Sequence, residues 1–108
     1  MAYYLLQVAY TAEAWATLIQ KPQNRLEAVR PVVEKLGGSF QGAWFSFGEY
    51  DIVAILQMPD NVSAAALSMA AASGGAVKAI KTTPLMTVEE GVEAMKKAAG
   101  AGYRPPSS

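Results

Sequence analysis

The sequence contains no cysteine and no histidine. Those two absences remove disulfides, thiolate chemistry, nucleophiles activated by imidazole, His-ligated haem and the ordinary zinc sites. General acid or base work is left to Asp, Glu, Lys and Tyr, and a metal would have to be a hard cation held by oxygens. No cofactor and no metal is expected on these grounds. Charge of one sign is also missing: nine basic and nine acidic residues cancel, and neither is gathered into a run of the kind phosphate backbones require, so nucleic acid is not an expected partner. No stretch reaches the roughly 18 uninterrupted apolar residues that span a bilayer, and the N-terminus lacks a basic region ahead of an apolar core and cleavage site. The expectation is a cytoplasmic protein with no membrane partner.

What is abundant is apolar surface. Hydrophobic residues make up 52% of the 108 residues and charged residues only 17%, against a usual quarter charged, so little of the exterior is strongly solvated and self-association is favoured. The length suits one domain, because two halves would each be too small for a core. We assign residues 1–99 to that domain and residues 100–108, rich in Gly, Pro and Ser, to a flexible tail.

Along the chain, residues 2–10 read as a strand with Tyr4, Leu6, Val8 and Tyr10 on one face and Tyr3, Leu5, Gln7 and Ala9 on the other. Both faces are apolar enough to want cover. Thr11 is a candidate N-cap for a short helix over 12–20, and Pro22 is expected to open a second helix running to about Leu36, kinked by Pro31. The mixed charges of that helix, Arg25 among them, read as a solvated face. Gly37 supplies the left-handed cap.

Two strands follow, Ser39 to Phe47 and Tyr50 to Met58, joined by a tight turn at Gly48-Glu49. In the first, simple alternation places Phe40, Gly42, Trp44 and Ser46 on one face. Asp60 or Asn61 caps an alanine-rich helix over 62–72, whose small side chains let it sit close to a sheet. Residues 76–83 give a fourth strand, with Lys78 and Lys81 marking it as an edge. Thr87 opens a last helix over 88–99, with Glu89 and Glu90 first and Lys96 and Lys97 last, the order that the helix dipole favours.

The order strand, helix, strand, strand, helix, strand is the split βαβ pattern: an α+β, ferredoxin-like domain with a four-stranded antiparallel sheet and helices on one face. The other face would be bare and apolar. A second copy packed about a twofold axis is the simplest cover, which predicts a homodimer or higher homo-oligomer.

The segment Gly48-Glu49-Tyr50-Asp51-Ile52-Val53, with Arg25-Leu26-Glu27, Leu36-Gly37-Gly38, Pro59-Asp60 and Thr82-Thr83, resembles the GYD domain family. Its members are small bacterial proteins related to the dimeric α+β barrels. The resemblance covers about residues 3–95 and implies a ferredoxin-like dimeric barrel. It implies no defined activity. By analogy with related barrels that act on phenols, quinones and lactones, it suggests a cofactor-independent isomerase or oxygenase acting on an apolar or aromatic molecule.

In such a sheet the start of the third strand lies beside the end of the first and the start of the fourth. Asp51 and Tyr50 are therefore the candidate catalytic residues, with Tyr10, Trp15, Trp44 and Lys78 as candidate ligand-binding residues. A carboxylate among aromatics would act as a base, and Tyr50 or Lys78 would stabilise an oxyanion. Against this stands a structural role: Gly48 providing a positive φ, Tyr50 packing, Asp51 accepting backbone N–H groups. Two functions follow from the same residues. One is a small-molecule-binding barrel with an apolar pocket between sheet and helices. The other is a non-catalytic assembly module whose interior is filled. Nucleotide binding fits poorly, because Gly37-Gly38 and Gly74-Gly75 follow helices, whereas phosphate cradles place glycines before them.

Overall fold

A computed structural model describes residues 1–107. The chain runs β1 (Ala2–Tyr10), α1 (Ala12–Gln20), α2 (Arg25–Lys35), β2 (Ser39–Phe45), β3 (Ile52–Met58), α3 (Asn61–Ser73), β4 (Val77–Leu85) and α4 (Val88–Ala99). The strands form one antiparallel sheet in the order β2-β3-β1-β4, which is the ferredoxin-like α+β arrangement. Ser108, the end of the expected tail, lies outside the described residues. The preceding residues 101–107 are exposed and form no helix or strand.

The core lies where one face of the sheet meets α2 and α3. Tyr4, Leu6 and Val8 of β1 and Ala54, Leu56 and Met58 of β3 are buried there against Val33 of α2 and Ala64 and Leu67 of α3. Alternation sends every second residue inward, so the antiparallel pairs Tyr4 with Leu56 and Leu6 with Ala54 share that face. Polar ties fix α3 above it: the Tyr4 hydroxyl donates to Asn61 Oδ1 at 2.5 Å, and the Ser68 and Thr82 hydroxyls share a bond of 2.7 Å.

Helix ends follow their capping chemistry. The side chains of Thr11, Asp60 and Thr87 accept the N–H of Ala14, Ser63 and Glu90. For α2 the expected start at Pro22 is wrong. Asn24 takes the cap by accepting from Leu26 and Glu27, so the helix begins at Arg25 and Pro22 stays in the connection. Beyond that start, α2 runs without a break through Pro31. Gly37 adopts φ +88° at its end, as its left-handed cap requires.

The tight β2–β3 turn is also corrected. β2 stops at Phe45 and β3 starts at Ile52, leaving a longer loop tied by the Ser46 N–H to the Asp51 carbonyl (2.8 Å) and the Ser46 hydroxyl to the Tyr50 carbonyl (2.7 Å). Gly48 lies in it with φ +135°. Two bulges change which residues share a face. The register of β2 against β3 shifts between Phe40 and Gly42, so Phe40 and Ala43 both pair with inward residues, Leu56 and Ala54, while Trp44 pairs with outward Val53. The second lies between β1 and β4 at Ala9 and Tyr10 and brings Val77 and Ile80 together on the helix face. Strict alternation had separated Phe40 from Ala43 and Val77 from Ile80; an extra residue in a strand reverses the alternation beyond it. β4 continues to Leu85, beyond the expected end at Thr83. It tolerates Pro84 because it is an edge strand.

The opposite face of the sheet carries Leu5, Val53, Ile55, Trp44 and Tyr3 with no helix over it. Helix α4 makes no substantial contact with the sheet or the other helices, and Val88 and Met95 on it are 81% and 70% exposed. The radius of gyration is accordingly 17.5 Å, against about 13 Å for a compact chain of about 100 residues.

Candidate functional site

Between the sheet and helices α2 and α3 the packing leaves a cavity of about 340 Å³. Its floor is Leu6, Val8 and Tyr10 of β1, Phe40 and Ala43 of β2, Ile52 and Ala54 of β3, and Val77 and Ile80 of β4. Its walls are Arg25, Leu26, Val29 and Val32 of α2 and Leu67, Ala70 and Ala71 of α3. The space exists because α3 presents alanines where larger side chains would reach the floor. Gly74 and Ala76 also line it. Two of its lining side chains are polar, the hydroxyl of Tyr10 and the guanidinium of Arg25.

These two act on each other. Burial pushes the Tyr10 hydroxyl above its ordinary value; the nearby positive charge of Arg25 pulls it down, and the charge of Asp51 pushes it up again. Burial wins, so Tyr10 is a neutral hydrogen-bond donor and acceptor at physiological pH. The Arg25 guanidinium also donates to the Gln23 side chain at 3.2 Å.

Asp51 stands behind Tyr10 and outside the cavity lining. Its backbone N–H donates to the Val8 carbonyl at 2.8 Å, and its Oδ2 accepts the backbone N–H of Tyr10 at 2.9 Å and the indole N–H of Trp15 at 3.3 Å. The carboxylate thus pins the end of β1 to the start of β3 and holds α1 against both. Trp15 meets Tyr10 edge to face, with ring centres 5.5 Å apart, and lies 6.5 Å from Phe45. That geometry suits the aromatic quadrupole.

Of the six residues singled out from the sequence, the fold brings together Tyr10, Trp15 and Asp51. Tyr50 is in the β2–β3 loop, partly buried, and does not line the cavity. Trp44 lies on the far face of the sheet, 58% exposed, with its ring over Gly42, where any Cβ would come within 2.6 Å of it. Lys78 is exposed at the β4 bulge and also lies outside the cavity lining.

Arg25 was missed as a site residue, having been grouped with a solvated helix face. Its signal was spacing: Arg25, Val29 and Val32 stand at i, i+4 and i+7, and all three line the cavity. A cation on an apolar stripe is a stronger indication than one off it.

The GYD domain model matches residues 4–95. The chain belongs to the GYD domain family. No curated protein and no solved structure matches it. Within this GYD domain the cavity, Tyr10, Arg25 and the Asp51 ties all fall inside the matched residues. No helix among the described residues is long and apolar enough to cross a membrane.

Proposed function

We infer that this GYD domain protein is a small-molecule-binding protein that works as a homodimer or higher homo-oligomer. The observation that carries the reading is the cavity: an assembly module would fill its interior, and this one keeps about 340 Å³ open, within the range of small-ligand sites. Its walls are apolar, with a hydroxyl and a guanidinium to orient what enters.

Two features support self-association. The uncovered sheet face is apolar, and α4 carries an exposed apolar edge away from its own body. A second copy laid sheet to sheet would cover the first, and α4 would pack across onto it. The assembly is then the dimeric α+β barrel.

The lining favours binding over proton abstraction. Among the described residues no carboxylate or lysine lines the cavity, and Asp51 has its Oδ2 engaged by two N–H donors. If a bound molecule is isomerised or oxygenated, Tyr10 is the lining group able to pass it a proton.

Native mass spectrometry of protein purified gently from its own cells tests both parts in one spectrum. A dimer or larger assembly with a reproducible added mass is expected, and Ala71→Trp, which fills the cavity from α3, should keep the assembly and lose the mass. A monomer would refute the covered face. An added mass that survives Ala71→Trp would refute the cavity as its seat.

A further inference from the structure

We propose, building on the reading of the cavity as a ligand site, that its ligand is an apolar monoanion: a carboxylate or similar single negative group on a compact apolar body, with Arg25 as its counter-ion and the Tyr10 hydroxyl as a second donor. The charge balance of the lining points this way. Arg25 is the cation of the lining, and neither Asp nor Glu lines the cavity. Among the described residues no carboxylate lies within ion-pair distance of Arg25; Glu27, in the same helical turn, sits 3.7 Å from Arg30 instead. Asp51, whose charge reaches Tyr10, lies outside the lining with Oδ2 already accepting two N–H groups.

Helix formation does not explain the placement of Arg25. It is the first residue of α2, where the positive end of the helix dipole disfavours a cation, and Asn24 already caps the free N–H groups. A guanidinium offers a planar fork that matches a carboxylate. With one guanidinium, one hydroxyl and no lysine, the site matches one negative charge and not the two or more of a phosphate ester.

The apolar body is bounded by the volume. About 340 Å³ is roughly eleven water volumes, enough for a bicyclic aromatic or a medium aliphatic chain. Ala70 and Ala71 on one side and Leu6 and Phe40 on the other offer it only carbon.

The test is calorimetric titration of the full chain with 1-naphthylacetate and with its neutral isostere 1-naphthylacetamide, against wild type, Arg25→Met and Tyr10→Phe. In wild type the acetate should bind at least about tenfold more tightly, about 1.4 kcal/mol. Arg25→Met should bring the ratio near one by weakening the acetate far more than the amide, and Tyr10→Phe should lower it a few fold. Circular dichroism confirms that each variant is folded, and Arg25→Gln replaces Arg25→Met if that variant is not. Equal binding of acetate and amide would overturn the anion preference while leaving the cavity as a ligand site. A preference that survives loss of Arg25 would overturn its role. Binding of neither compound would overturn the inference together with the cavity reading.

Discussion

Replacing Asp51 by alanine should destabilise the fold by about 2–3 kcal/mol, although Asp51 is neither a core residue nor part of an ion pair. The side chain accepts from Tyr10 N at 2.9 Å and Trp15 Nε1 at 3.3 Å. Hydrogen bonds to a charged acceptor contribute about 1.5–3 kcal/mol, and a donor left unpaired away from water costs a similar amount. The backbone bond belongs in that range. The indole bond is longer and the residue is only half-buried, so water replaces part of it, leaving about 0.5–1 kcal/mol.

Asp51→Asn keeps one oxygen able to accept both donors and should cost only about 1 kcal/mol. In a double-mutant cycle with Trp15→Phe, the coupling should be about 0.5–1 kcal/mol. Urea unfolding followed by tryptophan emission reads all of these proteins, and a total stability of about 5–15 kcal/mol makes such losses easy to resolve. Stability of Asp51→Ala within about 0.5 kcal/mol of wild type would refute the reasoning. If that variant also lost ligand affinity, Asp51 would belong to the chemistry of the site and not to its frame.

Tyr10→Phe should flatten the alkaline limb of stability. With its hydroxyl value raised in the fold, the native state keeps a proton that the unfolded chain releases near 10.0. The stabilisation is therefore complete below pH 10 and is lost as pH rises through the raised value. Denaturation midpoints measured from pH 8 upward check this, and parallel slopes for the two proteins would contradict it. Leu5→Glu, placed on the uncovered face opposite Ile55, should dissociate the oligomer while preserving the circular dichroism spectrum. Sedimentation velocity showing an unchanged assembly would place the interface elsewhere. Gly38→Ala should cost about 2 kcal/mol or more, since its Cβ would fall 2.6 Å from the Gln57 carbonyl oxygen and 2.3 Å from Met58 Sδ, and overpacking against backbone has no cheap relief. Its thermal midpoint is the measurement, and an unchanged value would show that β2 shifts freely there.

Much of this molecule could be read locally. The element order, the caps at Thr11 and Thr87, the left-handed Gly37 and the edge character of β4 follow from side-chain chemistry within a few residues of each position, so the sequence alone determined an α+β domain of split βαβ type. The juxtaposition of Asp51, Tyr10 and Trp15 was also legible, because the topology dictates which strand ends are neighbours. The tertiary structure decided the rest. Two bulges reversed the inward and outward faces of β2 and β4, and nothing local announces a single extra residue, since its cost is set by the partner strand. That reversal sent Trp44 to the uncovered face and brought Phe40, Ala43, Val77 and Ile80 to the cavity. Arg25 became a site residue only when α2, capped by Asn24, placed its first residue in the cavity lining. A cavity is a property of how two surfaces fail to fill the space between them, and no single stretch of chain contains it.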